Sequence, residues 1–131
     1  MGPFTKSHIL VLPTDFNMGA LSDTNGVFAS AGGRISISST SDKLVTSYVI
    51  PVGMSARSAQ FYGDTGVTVS VNVCSIENNT SSQILSGYSA GGGASSLSPA
   101  TDVGNGLLYL TIMLSFGATS DYFHGGKIFF G

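Results

Sequence analysis

The sequence predicts an all-β protein, a single-domain antiparallel β-sandwich of about seven to nine strands with jelly-roll or immunoglobulin-like connectivity and no significant helix. Three observations predict it. Almost every periodic stretch alternates apolar and polar residues with a period of two. Clusters rich in Gly, Ser and Asn separate these stretches at short intervals, as turns do in sandwiches. No long stretch repeats apolar residues at the helical spacing i, i+3, i+4, i+7.

The first half of the chain supplies four of the predicted strands. HILVL is a short apolar strand, and GRISISS alternates Ile35 and Ile37 with polar residues. KLVTSYVIPV is rich in β-branched and aromatic residues and ends in a Pro-Val-Gly turn signal. ARSAQFYG places Ala59 and Phe61 on one side of a fourth strand.

The second half contains the strongest alternation. GVTVSVNVCSI, residues 66–76, has valine at every second position, and ENNTSS then predicts a polar turn before a short strand segment at 83–85. LLYLTIMLSF follows, and YFHGGKIFFG closes the chain with Ile128 and Phe130 inward. Two facing sheets would bury the inner positions of these strands. The expected core positions of the two longest strands are Val67, Val69, Val71, Val73, Leu108, Leu110, Ile112 and Leu114.

The domain organisation follows from the same pattern. Residues 1–16 are predicted to be an N-terminal arm that includes the first strand, and residues 17–131 a single sandwich domain. A long Gly- and Ser-rich connection is expected at 86–106, and too little chain follows it to fold alone. The length of 131 residues is sufficient for one core without disulfides or metals.

Charge is unusually scarce. Charged residues make up 9% of the chain, with a net charge of −2, against about 25% in typical soluble domains. The five basic residues are scattered, so no basic stripe predicts nucleic-acid binding. A surface with so little charge resists self-association poorly, and we therefore expect an oligomer.

The outer faces of the strands are also less polar than a wet sheet surface. The LLYLTIMLSF strand presents Leu107, Tyr109 and Met113 on the side away from the core, and the last strand presents Phe129. An exposed antiparallel face normally carries polar residues. Two explanations remain open: a covering loop, or a neighbouring subunit.

Reaction chemistry is not indicated, and we expect neither an enzyme nor a bound cofactor. His124 with Asp121 is the one local acid–base pair, and no nucleophile motif accompanies it. The SDTNG stretch lacks the glutamate that closes a calcium loop, so no metal site is predicted. Cys74 is the only cysteine and is expected to pack as a small apolar residue.

The sequence predicts neither a membrane span nor a targeting signal. No segment has the roughly 18 apolar residues of a membrane span, and the N-terminal apolar run is too short for a signal peptide. We therefore expect synthesis in a cytoplasm without export, and no membrane partner.

VTVSVNVCSI, the Gly-rich connection, GLLYLTIML and DYFHGGKIFFG together resemble small all-β virion proteins of tailed bacteriophages. The similar proteins are capsid decoration (cement) proteins and tail-fibre head domains. The resemblance implies a β-sandwich that assembles, often as a homotrimer, on the virion exterior without enzymatic activity. No family site residues carry over, because no motif position matches specifically.

The first expectation is therefore a homo-oligomeric decoration protein that binds capsid subunits through outer apolar side chains and arm anchors. The expected interface residues are Phe4, Phe16, Leu107, Tyr109, Met113 and Phe129. The alternative is a receptor- or carbohydrate-binding module that recognises a host-surface glycan through the Gly/Ser-rich loop, with Tyr88 as its ligand-binding residue.

Overall fold

The computed structural model describes residues 7–18, 26–29, 34–37, 40–41, 43–97 and 103–131. In this part of the chain there are eleven β-strands and one short 3-10 turn, and nine of the strands have four or more residues. The prediction of an all-β fold without significant helix is confirmed. The elements are β1 (Ser7–Val11), η1 (Pro13–Asp15), β2 (Asn17–Met18), β3 (Gly26–Ala29), β4 (Arg34–Ile37), β5 (Lys43–Val49), β6 (Ala56–Gly63), β7 (Val67–Ser75), β8 (Thr80–Ser89), β9 (Ser95–Ser96), β10 (Leu108–Phe116) and β11 (Phe123–Phe130).

The strands form two antiparallel sheets. The first sheet has the order β3-β4-β11-β6-β9, with β1 also paired to β11, and the second has the order β2-β5-β10-β7-β8. The eight strands from β4 to β11 pair in a nested way, first with last: β4 with β11, β5 with β10, β6 with β9 and β7 with β8. An eight-stranded double sheet of this kind is a jelly roll, so the strand order selects one of the two predicted connectivities.

The core lies between the two sheets and follows the alternation of the sequence. Val67, Val69 and Val71 of β7 are fully buried, as are Leu110 and Ile112 of β10. Side chains of the first sheet meet them from the other side, and the largest of these are Ile35, Ile37, Phe61, Phe123, Ile128 and Phe130. Val73 and Leu108 are only partly buried, because they lie where β7 ends and β10 begins.

The N-terminal segment, as far as it is described, packs onto the sandwich. β1 pairs along its full length with β11, from Ser7 opposite Phe130 to Val11 opposite Gly126. After η1, the Tyr48 hydroxyl donates a 2.6 Å hydrogen bond to the Asp15 carboxylate. This bond links the turn to the second sheet.

The Gly/Ser-rich stretch at 86–106 is partly regular structure. β8 continues to Ser89, and β9 (Ser95–Ser96) pairs with β6. Residues 98–102 of this stretch lie outside the described residues, as does most of the SDTNG motif.

Candidate interaction surface

Eight large apolar side chains are exposed in the described part of the chain, and they fall into two groups. The first group occupies the end of the sandwich where β5 and β7 finish and β10 begins, and we call it the apolar end. The second group lies on the outer face of the first sheet, and we call it the cup. The apolar end comprises Val49, Val52, Ile76, Val103 and Leu107, and the cup comprises Leu10, Leu12 and Tyr62.

Backbone hydrogen bonds hold the chain segments of the apolar end next to one another. Ile76 N–H donates to Leu107 O at 2.9 Å, which ties the β7–β8 turn to the start of β10. Val52 forms an isolated bridge with Gly104, next to Val103. Val49, Ile76 and Leu107 line a cleft of about 280 Å³ together with Tyr109. Five apolar side chains from three separate chain segments, residues 49–52, 76 and 103–107, therefore lie at one end of the sandwich.

A second, more polar cleft adjoins this end. Its volume is about 220 Å³, and Glu77, Asn78 and Asn105 contribute to its lining beside Val103. Glu77 is the one charged residue among the described residues that line either cleft.

The outer face of the second sheet is a broad surface without charge at its centre. Strand pairing aligns its side chains in cross-strand rows, because opposite residues of an antiparallel pair lie on the same face. In β5, β10, β7 and β8, the three central rows contain no charged residue. They are Val49–Tyr109–Cys74–Ser81, Ser47–Thr111–Asn72–Gln83 and Val45–Met113–Ser70.

A charge appears only in the next row of this face. Lys43 lies there opposite Ser115, to whose hydroxyl it donates a 3.1 Å hydrogen bond. The centre of the face thus offers methyl, thiol, hydroxyl and amide groups, with one aromatic ring, to any partner.

The cup is a depression of about 390 Å³ on the other side of the molecule. Gly125 lies opposite Tyr62 on the neighbouring strand, and both line the depression together with Leu12. Lys127 and His124 complete the lining, and they are the basic residues among the described cup residues. The cup is therefore apolar at its base and basic at its margin.

The structure brings together three of the six predicted interface residues. Leu107 and Tyr109 lie in the same apolar-end cleft, and Met113 follows Tyr109 along the same outer face. Phe129 lies on the opposite sheet, where its ring contacts His8 with centroids 5.9 Å apart. Phe4 lies outside the described residues.

Phe16 was predicted as an arm anchor for a partner, and the structure corrects this. Its side chain is 2% exposed and packs edge-on against Phe123, with ring centroids 5.3 Å apart. The β1 pairing and η1 direct the chain back over the sandwich, so Phe16 fills the protein's own core instead of reaching a neighbour.

Tyr88 also differs from its predicted role as a ligand-binding residue. The ring is buried and packs edge-on against Phe61 at a centroid distance of 5.5 Å. Its hydroxyl accepts a 3.2 Å hydrogen bond from Phe61 N–H and lies 3.0 Å from Gly92 O and 2.9 Å from Gly93 O. Tyr88 therefore organises the β8–β9 turn from inside and is not available to a ligand.

The residues that sequence reasoning missed are mostly in turns. Val52, Ile76 and Val103 lie outside the regular strands, where periodicity gives no face assignment. Leu12 follows β1 and Tyr62 lies near the end of β6, and the cup between them depends on β11, which pairs with both strands. The sequence signal that could have identified these residues is an excess of apolar residues in predicted turns.

At the opposite end of the sandwich, acidic side chains stabilise the turns by accepting backbone hydrogen bonds. Asp121 accepts a 3.0 Å hydrogen bond from Ala118 N–H, and Asp64 accepts one of 2.9 Å from Tyr122 N–H. Arg34 places its guanidinium 4.0 Å from the centroid of the Tyr122 ring. Among the described residues, no group of three His, Cys, Asp or Glu side chains could hold a metal ion.

The fold and surface define a jelly-roll domain with two exposed apolar patches and a third, uncharged face. No known family model matches this sequence, and no curated protein matches it significantly. Within the ranges that the structure covers, no helix is long and apolar enough to cross a membrane.

Proposed function

We propose that this protein is a non-enzymatic structural protein of a virus particle, a capsid decoration (cement) protein that binds the virion exterior as a homo-oligomer. The observation that carries the proposal is the uncharged centre of the outer face of the second sheet. The proposed binding face comprises Tyr109, Met113, Val45 and their row neighbours. The proposed location is the capsid surface, and the partners are capsid proteins and further copies of this chain.

The composition of this face supports a protein partner. The buried centres of protein interfaces are depleted in charged residues and enriched in aromatic residues and Met. Tyr109 and Met113 are partly exposed on either side of the Thr111 row, and hydroxyl and amide groups surround them. These short side chains lose little conformational entropy on binding, because Ser, Thr and Asn have few rotatable bonds.

The proposed mechanism of capsid binding is the burial of the outer face of the second sheet against the particle. A stable interface buries about 1,600 Å² in total, and its affinity depends on packing and on a few anchors. With so few charges on the face, binding to a capsid should depend weakly on ionic strength. This behaviour would suit a protein that stabilises particles in media of varying salt content.

The jelly roll is compatible with this function but does not by itself establish it, since one fold supports many functions. Jelly rolls occur in both viral capsid proteins and lectins. The glycan-binding alternative loses the residue that suggested it, because Tyr88 is buried.

Co-sedimentation with purified particles tests the proposal. The wild-type protein should sediment with the particles at a fixed copy number per capsid subunit, measured by quantitative mass spectrometry. Met113→Lys places a charge in the middle of the face and should reduce the bound amount at least tenfold. Thr119→Lys, in the exposed turn between β10 and β11, is the matched control and should bind normally.

Two results would contradict the proposal. One is a wild-type protein that stays in the supernatant at micromolar concentration. The other is equal binding by the Met113→Lys and wild-type proteins when both are folded by circular dichroism.

A further inference from the structure

We propose that copies of this protein assemble head to tail, with the apolar end of one copy docked in the cup of the next. The inference rests on the homo-oligomer of the proposed function and names its interface. The contact would place Ile76 over the base of the cup and Glu77 beside Lys127.

The distribution of exposed apolar side chains is the first argument. All eight in the described part of the chain belong either to the apolar end or to the cup. A symmetric contact between two apolar ends would leave both cups exposed. A symmetric contact between two cups would leave both apolar ends exposed. A heterologous contact uses one patch from each copy, so repeating it covers both. Patches of this kind typically mark contact sites.

Complementary charge is the second argument. Glu77 follows Ile76 in the turn at the apolar end, where Ile76 is 64% exposed. The cup has Lys127 and His124 at its margin and no acidic residue among its described lining. Within the described ranges, neither Glu77 nor Lys127 has an ion-pair partner in its own chain. Opposite charges at the rim of an apolar contact fix its register and exclude wrong pairings.

Size is the third argument. An apolar cavity of about 150 Å³ can hold a benzene molecule. The cup has a volume of about 390 Å³ and therefore has room for Ile76 and part of a second aliphatic side chain.

A head-to-tail contact produces a closed ring if the rotation between copies closes, and a filament if it does not. The cup lies on the other sheet, and the apolar end shares only the Val49–Tyr109 row with the outer face of the second sheet. A ring of copies would therefore leave the Thr111 and Met113 rows of that face free to meet a particle.

Two exposed positions allow each half of the contact to be removed without disturbing the core. Ile76→Arg should disable the apolar end, and Leu12→Arg, at a position that is 47% exposed, should disable the cup. Each variant alone should be monomeric by light scattering coupled to size exclusion. An equimolar mixture should form 1:1 dimers, because one variant retains its cup and the other retains its apolar end.

A charge exchange tests the polar part of the contact. Glu77→Lys and Lys127→Glu should each weaken self-association at least tenfold in sedimentation equilibrium, and the double variant should recover most of the loss. Lys43→Glu makes the same charge change on the other sheet and should leave self-association unchanged. Thermal midpoints of all variants verify that each one folds.

The inference is overturned if the wild type is still monomeric at 100-fold the protein concentration used for light scattering. It is also overturned if folded Leu12→Arg assembles like the wild type. Failure of the double variant to recover would overturn the Glu77–Lys127 register. Self-association that is insensitive to all these changes would reject this contact while leaving the homo-oligomer of the proposed function intact. Particle binding is measured separately by co-sedimentation, so the failures are distinguishable.

Discussion

At the scale of single residues, aromatic side chains close the core from opposite sides. Phe16 and Tyr88 are both buried, and each packs edge-on against a phenylalanine of the first sheet. Edge-on aromatic pairs contribute about 0.5 to 1.5 kcal/mol beyond the area they bury. Phe61 contacts Tyr88 and also Phe123, which in turn contacts Phe16, so the four rings form one connected cluster.

The position of Phe16 predicts a large effect on stability. Phe16→Ala should lower the free energy of unfolding by about 3 to 5 kcal/mol, because it removes a buried ring and leaves a cavity. Leu10→Ala is the matched control, since Leu10 is 56% exposed, and should change stability by less than about 1 kcal/mol. Urea denaturation measures both values. Equal effects of the two substitutions would contradict the burial of Phe16.

Tyr48 predicts a dependence of stability on alkaline pH. Partial burial, followed by the hydrogen bond to Asp15 and its negative charge, raises the pKa of Tyr48 from 10.0 to about 12. The unfolded chain therefore ionises first. The stabilisation is complete below pH 10 and is lost as the pH rises from 10 towards 12.

The variant Tyr48→Phe isolates this contribution. It should be less stable than the wild type at pH 7 by about 1 kcal/mol, a value reduced by solvent screening of a half-buried group. The difference between the two proteins should shrink as the pH rises through 10 to 12. Chemical denaturation at several pH values measures it, and a difference that stays constant up to pH 12 would refute the assignment.

At the scale of elements, β8 is a long edge strand whose irregularity protects it. Its pairing with β7 shifts register twice, between Val69 and Val71 and between Val71 and Asn72. Gly87 has a positive φ of 64° in this region. Bulges at an edge bend the strand away from further pairing. This matters because β8 has no charged residue and no proline, the usual protections of an exposed edge.

Gly87 therefore has a conformational role. Gly87→Ala should destabilise the protein by about 1 to 2 kcal/mol, since a left-handed backbone is costly for residues with a Cβ, although there is open space around the position. Gly93→Ala is the matched control: it also has open space, and its φ is not positive. Thermal unfolding compares the two, and equal midpoints would contradict the prediction.

The turn aspartates act at the same scale. Asp64 accepts the Tyr122 N–H and so joins the β6–β7 turn to the start of β11. Asp64→Ala should cost about 0.5 to 1 kcal/mol, because an exposed backbone donor loses its carboxylate partner to water. Asp64→Asn keeps an acceptor oxygen and should retain most of the stability in the same denaturation experiment. Comparable losses in both variants would reject the hydrogen-bond explanation.

At the scale of the whole molecule, the jelly roll joins distant parts of the chain. Phe123 pairs with Ile35, and β10 pairs with both β5 and β7. The long chain segments that separate these strands must close into loops before the strands can pair. Folding dominated by such contacts takes milliseconds to seconds. Stopped-flow refolding at low protein concentration, with prolyl isomerase added to remove slow proline phases, should therefore show no phase in which folding is complete within microseconds.

The sequence alone determined the fold class and the inner face of the long strands. Alternation is a local property, and each strand of a half-buried sheet carries it independently of its partners. For that reason Val67, Val69 and Val71 were correctly assigned to the core, as were Leu110, Ile112 and Leu114. The low charge was also visible without a structure.

Only the tertiary structure decided which outward residues share a surface. Leu107 and Tyr109 meet Val49 and Ile76 because of strand register, while Phe129 lies on the other sheet. Phe16 and Tyr88 were assigned to the surface from their loop-like surroundings, yet the chain turns both inward. The physical reason is that periodicity specifies a face within one strand, whereas sheet order, register and the direction of turns arise from pairings between segments far apart in the chain.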